Sequence, residues 1–118
     1  MSLLDRFRQK RPPAAELDLL LVRRLRSVGD DLTRPRRIVH FLDFAQEHDA
    51  RGAASELEEA GYDVTLAPPS PDAARWSVRA EGTRVVDEAT VVAFRAWFER
   101  VAAEHAGEYD GWESPSAT

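Results

Sequence analysis

The chain has 118 residues, of which 43% are apolar and 31% are charged, and this is the size and composition of one ordinary globular domain. It contains no cysteine, which excludes disulfide bonds, thiolate metal sites and cysteine nucleophiles. Residues 1–37 hold ten Arg or Lys and five Asp or Glu, whereas residues 38–118 hold six Arg and sixteen Asp or Glu. We call residues 38–118 the acidic body; their excess negative charge repels nucleic-acid phosphate and attracts basic partners.

The sequence offers no candidate for a membrane-spanning helix. No apolar run approaches the roughly 20 residues that a span needs, and charged residues interrupt the short apolar stretch within residues 1–11. We therefore expect a cytoplasmic protein without a signal peptide or a membrane contact.

The N-terminal part of the chain predicts a lead-in followed by a helix. Residues 1–13 end in two prolines and are expected to be flexible. Residues 14–28 predict a helix, because acidic residues precede basic ones along it in the order that the helix dipole favours, and Gly29 is expected to cap its end. The predicted buried stripe of this helix is Leu17, Leu20, Leu21, Leu25 and Val28.

A strand and a second helix follow. Residues 37–44 carry apolar side chains on both faces, which favours a central position in a sheet. Residues 48–60 predict a helix that Gly61 ends. Its predicted buried positions are Ala50, Ala53, Ala54, Leu57 and Ala60.

Two alternating segments come next. Residues 62–67 and 75–80 alternate apolar and polar side chains, which predicts an antiparallel hairpin with a long, proline-rich loop. A turn is predicted at Glu81 and Gly82. A short strand over residues 84–86 is a competing interpretation of this stretch.

The C-terminal part predicts a helix and a closing strand. The helix is expected to begin at Asp87 or Thr90, either of which can cap it, and to end at Gly107. Its predicted inward face is Val91, Phe94, Phe98, Val101 and Ala102, with Trp97 beside them. Residues 108–113 predict a short strand, and residues 114–118 a disordered tail.

This element order predicts the fold class. After the first helix the order is β-α-β-β-α-β, which is typical of a ferredoxin-like two-layer sandwich of the α+β class, here with an extra N-terminal helix. Residues 14–113 are expected to form one domain. One sheet face has no helices over it, and either a second chain or the N-terminal helix is expected to cover it. A monomer and a homodimer therefore both remain open.

Patterns for catalysis and metal binding are weak. The histidines His40, His48 and His105 lack metal-ligand spacing, and no serine or glycine pattern forms a nucleophile elbow or a phosphate loop. The best candidates for an enzymatic or small-ligand site are His40, Asp43 and Arg79. However, His40 and Asp43 lie three apart on a strand and are expected to face opposite sides. We therefore expect no enzyme activity, no metal and no cofactor.

Nucleic-acid binding has one basic segment in its favour. Arg34, Arg36 and Arg37 are the candidates for phosphate contacts. The outward residues of the strand over 75–80 supply charge but no aromatic platform for bases. The acidic body therefore argues against nucleic-acid contact.

Two acidic segments are candidates for binding a basic protein. The glutamates of the second helix predict either a solvated face or a docking patch. In residues 108–113, two aromatic residues flank an Asp-Gly pair, so they either cover the end of the core or anchor a partner. The partner-binding candidates are Glu56, Glu58, Glu59, Glu108, Asp110, Trp112 and Glu113.

The C-terminal motif Tyr109-Asp110-Gly111-Trp112 resembles that of the ribonuclease E inhibitor B family, also called regulator of ribonuclease E activity B. Residues 29–31, 37–40, 60–64 and 76–78 match the family in the same order, and the likeness covers residues 16–113. It implies a compact α/β sandwich without catalytic activity that binds the non-catalytic, regulatory region of ribonuclease E and lowers RNA turnover. An alternative is a small-ligand-binding or enzymatic α+β domain.

Overall fold

The computed structural model of the protein describes residues 14–27 and 34–114. The elements are α1 Ala14–Ser27, β1 Pro35–Phe44, α2 Glu47–Glu59, β2 Asp63–Ala67, β3 Trp76–Val85, α3 Glu88–Glu104 and β4 Glu108–Glu113. The predicted lead-in over residues 1–13, the predicted cap at Gly29 and residues 115–118 lie outside the described residues. Of the predicted tail, Ser114 is described, and its hydroxyl donates a hydrogen bond to the Arg37 carbonyl at 3.0 Å.

The four strands form one antiparallel sheet in the order β2-β3-β1-β4. β1 lies in the centre, as its two apolar faces predicted, and β2 and β3 form the predicted antiparallel pair. Together with the three helices, this sheet places the described residues in the mixed α+β class.

The turn predicted at Glu81 and Gly82 is wrong. β3 continues through both residues to Val85 and pairs with β1 along its whole length. Gly82 is needed for close packing, because a Cβ at this position would lie 2.8 Å from the ring of Tyr62. The competing short strand is therefore the end of β3.

α2 ends at the predicted glycine. Gly61 adopts a φ of +97°, a conformation that residues with a Cβ rarely take. Its N–H bonds to the Glu58 carbonyl at 3.0 Å. The next N–H, from Tyr62, bonds to the Leu57 carbonyl at 3.1 Å, which completes a Schellman motif. Ala60 lies in this turn and is exposed, so its predicted burial is wrong.

α3 begins at the predicted cap, where the Asp87 carboxylate accepts a hydrogen bond from the Thr90 N–H at 2.7 Å. The helix ends three residues before the predicted stop at Gly107. Ala106 takes the left-handed conformation there, with a φ of 57°. Gly107 instead permits a close approach, since a Cβ on it would lie 2.3 Å from the Phe44 ring.

The core lies between the sheet and helices α2 and α3. The buried residues of these helices are Ala50, Ala53, Ala54 and Leu57 in α2 and Val91, Phe94, Phe98, Val101 and Ala102 in α3, which confirms the prediction for these positions. Ile38, Leu42 and Phe44 of β1 belong to the same core, and Trp97 packs against its edge.

α1 buries a different face from the one predicted. Leu17 and Leu20 are 45% and 50% exposed, whereas Asp18 and Val22 are buried. The predicted stripe is therefore wrong at these two leucines, and its last member, Val28, lies outside the described residues. The physical reason is that Asp18 is turned inward to bind Arg95 of α3, so that the face carrying the aspartate is buried.

Candidate functional site

β4 contains a bulge that determines where its side chains lie. Leu42 pairs with Tyr109, but the preceding residue of β1, Phe41, pairs with Gly111, so Asp110 is an extra residue in β4. Gly111 has a φ of +127°, which strongly favours glycine. Residues three apart on a regular strand face opposite sides. The bulge instead brings both Tyr109 and Trp112 to the helix side of the sheet.

The Trp112 indole is held in a buried polar network. Its Nε1–H donates to Asp18 Oδ1 at 2.8 Å, and its ring packs edge-on against Phe94. Arg95 donates to both carboxylate oxygens of Asp18, with Nη2 lying 3.1 Å from Oδ1. Another guanidinium nitrogen, Nη1, donates to Glu99 at 2.9 Å. This network joins α1, α3 and β4.

Arg95 stays charged in this position. Burial lowers its pKa, but the hydrogen bonds to Asp18 and Glu99 outweigh burial, so the pKa of Arg95 is raised overall. The guanidinium also lies over the Tyr109 ring, with Cζ 4.8 Å from the ring centre. The buried carboxylate therefore has a permanently cationic partner.

His40 lies at the centre of the aromatic core. It is fully buried, stacks on Phe98 with 3.8 Å between ring centres, and places Nδ1 2.8 Å from the Tyr109 hydroxyl. Burial, aided by Arg84 and Arg95, lowers the pKa of His40 to about 3. Burial also raises the pKa of Tyr109. Both side chains are therefore neutral at physiological pH.

The carboxylates of β4 lie on the other face of the sheet. Glu108 pairs with Asp43 of β1, and Glu113 pairs with Val39, so these side chains share the face that α2 and α3 leave open. Glu108, Asp110 and Glu113 are exposed. We call these three residues the β4 acidic strip.

Negative charge is concentrated at the strip. The pKa of Asp43 is raised, mainly by burial and further by the carboxylates of Asp110 and Glu108, while Arg75 opposes the shift. Arg75 also lies 3.4 Å from a Glu108 oxygen. Asp110 and Glu108 are therefore close enough to Asp43 to raise its proton affinity, an effect that a cationic partner would relieve.

A cavity of about 360 Å³ adjoins the strip. Leu17 and Leu21 of α1 and Phe41 of β1 supply apolar walls, while Asp110 and Glu113 supply carboxylates. Arg95 also lines the cavity, where Asp18 and Glu99 balance its charge. An apolar wall with acidic groups beside it suits the aliphatic stem and cationic head of an arginine or lysine side chain.

The glutamates predicted on α2 do not lie on the strip. Glu56 faces His105, with 3.6 Å between Oε1 and Nε2. Glu58 instead lines a cavity with Val64 of β2, the strand at the opposite edge of the sheet from β4. Glu59 is exposed. The structure thus separates the seven predicted partner-binding residues into two surfaces, with Trp112 buried below one of them.

The three residues proposed for an enzymatic site do not meet. His40 is buried on the helix side, whereas Asp43 lies on the open face of the sheet. Arg79 is bound to Glu81 at 2.9 Å. Among the described residues, no group of three or more His, Asp or Glu side chains is arranged to hold a metal ion.

Two further predictions concern nucleic acid and membranes. Of the three arginines proposed for phosphate contacts, Arg37 is bound to Glu81 at 3.0 Å, and Arg36 pairs across the sheet with Arg84. Within the described part of the chain, no helix is long and apolar enough to cross a membrane.

Sequence reasoning missed Asp18 and Arg95 as structural partners. Asp18 is one of the acidic residues whose position before the basic ones predicts only a favourable interaction with the helix dipole. A usable signal existed, because this aspartate interrupts a run of five apolar residues within 17–22. No comparable signal marked Arg95, whose partner lies 77 residues away in the chain.

Comparison with known families confirms the resemblance. Residues 17–114 match the RraB family, described as regulator of ribonuclease activity B. A search of curated proteins gives no match. The matched span includes the whole sheet, α2, α3 and most of α1. Because the match covers most of the 118 residues, the chain belongs to the RraB family of regulators of ribonuclease activity.

Proposed function

We propose that this protein is a non-catalytic regulator that binds the basic, non-catalytic region of a ribonuclease E-like enzyme and reduces RNA turnover. Membership of the RraB family over residues 17–114 is the observation that carries this proposal. The separation of His40, Asp43 and Arg79 supports a non-catalytic role, because a general base and its partners must lie within hydrogen-bond reach.

The β4 acidic strip is the proposed binding surface. Glu108, Asp110 and Glu113 are exposed and adjoin the 360 Å³ cavity whose apolar walls suit a basic side chain. Attraction between the strip and a basic segment speeds association and weakens with salt, since exposed charges are screened over about 8 Å at physiological ionic strength.

The main role proposed for Tyr109 and Trp112 is to position the strip, and both also line the cavity beside it. The two aromatic residues hold β4 from the helix side through His40 and Asp18. The bulge between them presents Asp110 on the open face. In this proposal, the buried aromatic residues of the motif hold β4 in place, and the bulge between them exposes the Asp110 carboxylate.

The glutamates of α2 are a second candidate surface. Glu58 and Glu59 are exposed, and Glu56 is partly engaged by His105. They carry the same number of carboxylates as the strip, so they provide a matched comparison for it.

We also propose that the domain has a ferredoxin-like fold and that the protein is cytoplasmic. A sheet in the antiparallel order β2-β3-β1-β4, with α2 following β1 and α3 following β3, supports a ferredoxin-like sandwich built by one domain over residues 14–113. Regulation of RNA turnover is compatible with the cytoplasm.

Co-elution of the purified protein with full-length ribonuclease E of its host, and separately with the catalytic part, tests the function. We expect the protein to elute with the full-length enzyme alone, to be released by salt, and to slow cleavage of a structured RNA by that enzyme. Failure to bind either form would refute the proposed partner, and RNA cleavage by the protein itself would refute the non-catalytic role.

A further inference from the structure

α1 has an apolar residue on its outward side. Leu20 is 50% exposed, although the opposite side of the helix is docked to the core through Asp18 and Val22. Leu17, about 60° away around the helix, is 45% exposed, so the two leucines form a small apolar patch on this side. The contacts of its buried side fix the orientation of α1, so the Leu20 side chain points outward and is accessible to another protein surface.

Two exposed charges flank Leu20 on the same side. Glu16 precedes it by four residues and Arg24 follows it by four, so each side chain points within about 40° of Leu20 around the helix. Both are exposed. Neither the Glu16 carboxylate nor the Arg24 guanidinium has an ion pair within the described ranges 14–27 and 34–114.

We propose that two copies of this protein associate through α1, with the two helices antiparallel and a two-fold axis passing beside Leu20. This arrangement packs Leu20 of one copy against Leu20 of the other. It also places Glu16 of each copy beside Arg24 of the other, because each lies four residues from the axis in opposite directions. A second copy therefore buries Leu20 and provides ion-pair partners for both Glu16 and Arg24.

The other arrangements of two α1 helices do not have this property. In a parallel pair, Glu16 lies beside Glu16 and Arg24 beside Arg24, and like charges at these positions repel. The remaining neighbours agree with the antiparallel pair, since Leu17 lies opposite the stem of Arg23, whose head binds Glu88 at 3.7 Å. The charge pattern along α1 thus selects the antiparallel dimer.

The dimer should be weak and depend on concentration. A helix of 14 residues is about 21 Å long, and one of its faces buries less than the roughly 800 Å² per partner of a standard interface. We therefore expect a dissociation constant in the micromolar range, which analytical ultracentrifugation over a dilution series measures directly.

Charge reversal provides the test. Glu16→Arg and Arg24→Glu each convert two attractive contacts per dimer into two repulsive ones, and each should weaken association about tenfold or more. The double variant Glu16→Arg/Arg24→Glu restores both pairs with their signs exchanged, and should recover the wild-type constant. Leu20→Glu should give a monomer. Arg26→Glu makes the same charge change as Arg24→Glu about 120° away from Leu20 and should leave association unchanged.

Circular dichroism verifies that each variant is folded, which we expect because all the substituted side chains are exposed. A monomeric wild type at every concentration up to about 500 µM would overturn the proposal, since this exceeds the expected micromolar range. So would a dimer that persists in Leu20→Glu, or a double variant that associates no better than the single ones.

Discussion

Removing the Asp18 carboxylate should destabilise the protein by undocking α1. In Asp18→Leu, Arg95 loses the acceptor that binds two of its nitrogens, and the Trp112 indole loses its partner at 2.8 Å. The side chains of Asp18 and Arg95 are only 8% and 12% exposed. Water therefore cannot readily replace the lost hydrogen bonds.

The expected loss follows from these contacts. Breaking a buried ion pair by removing one partner costs about 3–5 kcal/mol. Arg95 retains Glu99 at 2.9 Å, and this partner is 54% exposed. The remaining ion pair offsets part of the loss, so we expect a destabilisation of about 2–4 kcal/mol. This is a large share of the roughly 5–15 kcal/mol that holds a typical domain folded.

Urea unfolding followed by circular dichroism measures this change. Glu99→Gln is the matched control, because it removes the exposed partner of the same arginine and should cost less than about 1 kcal/mol. Arg95→Met should resemble Asp18→Leu. The double variant Asp18→Leu/Arg95→Met leaves no uncompensated charge and should be more stable than the sum of the single losses by at least about 1 kcal/mol.

The reasoning would be refuted if Asp18→Leu lost no more stability than Glu99→Gln. Strictly additive losses in the double variant would also contradict it, because the two side chains would then not act as a pair.

Two further predictions concern His40 and Gly111. The folded-state pKa of His40 is lowered to about 3, so below its ordinary value of about 6.5 the unfolded chain takes up a proton that the folded chain does not. The free energy of unfolding should therefore fall by up to about 1.4 kcal/mol per pH unit as the pH drops from 6.5 towards 3. In His40→Phe this pH-dependent loss of stability should disappear when unfolding is measured against pH. Parallel pH profiles of the two proteins would contradict the prediction. Gly111→Ala should cost about 1–3 kcal/mol because Gly111 has a φ of +127°, whereas Ala106→Gly, which relieves a φ of 57°, should be neutral or stabilising. Equal urea midpoints for Gly111→Ala and wild type would contradict the expected backbone strain at Gly111.

The elements with regular hydrophobic periodicity were predictable from the sequence. Except at Ala60, α2, α3 and β1 have their predicted buried positions because apolar side chains recur at the helical or strand period, although His40 lies among those of β1. Local capping was also predictable, since Asp87 and Gly61 act through neighbours a few residues away.

The features that depend on distant partners were not predictable. Gly82 is typical of a turn, but it accommodates the Tyr62 ring within a continuous strand. Leu20 matches the periodicity of a buried stripe, but the inward turn of Asp18 exposes it. The bulge at Asp110 likewise depends on the pairing of β4 with β1, which local sequence does not encode.

The candidate site was predictable in composition and not in arrangement. The acidic residues of β4 were identified, but Trp112 was grouped with them although it is buried on the other face. Alternation along an ideal strand gave no reason to place Tyr109 and Trp112 on one side. The bulge alone supplies that reason.

The most direct test of the central claim compares the two acidic surfaces in binding full-length ribonuclease E. The two variants each neutralise three carboxylates: Glu108→Gln/Asp110→Asn/Glu113→Gln on the strip and Glu56→Gln/Glu58→Gln/Glu59→Gln on α2. We predict that the strip variant raises the dissociation constant at least about tenfold and reduces its salt dependence, while the α2 variant changes it less than about threefold. Wild-type affinity in the strip variant would contradict the account.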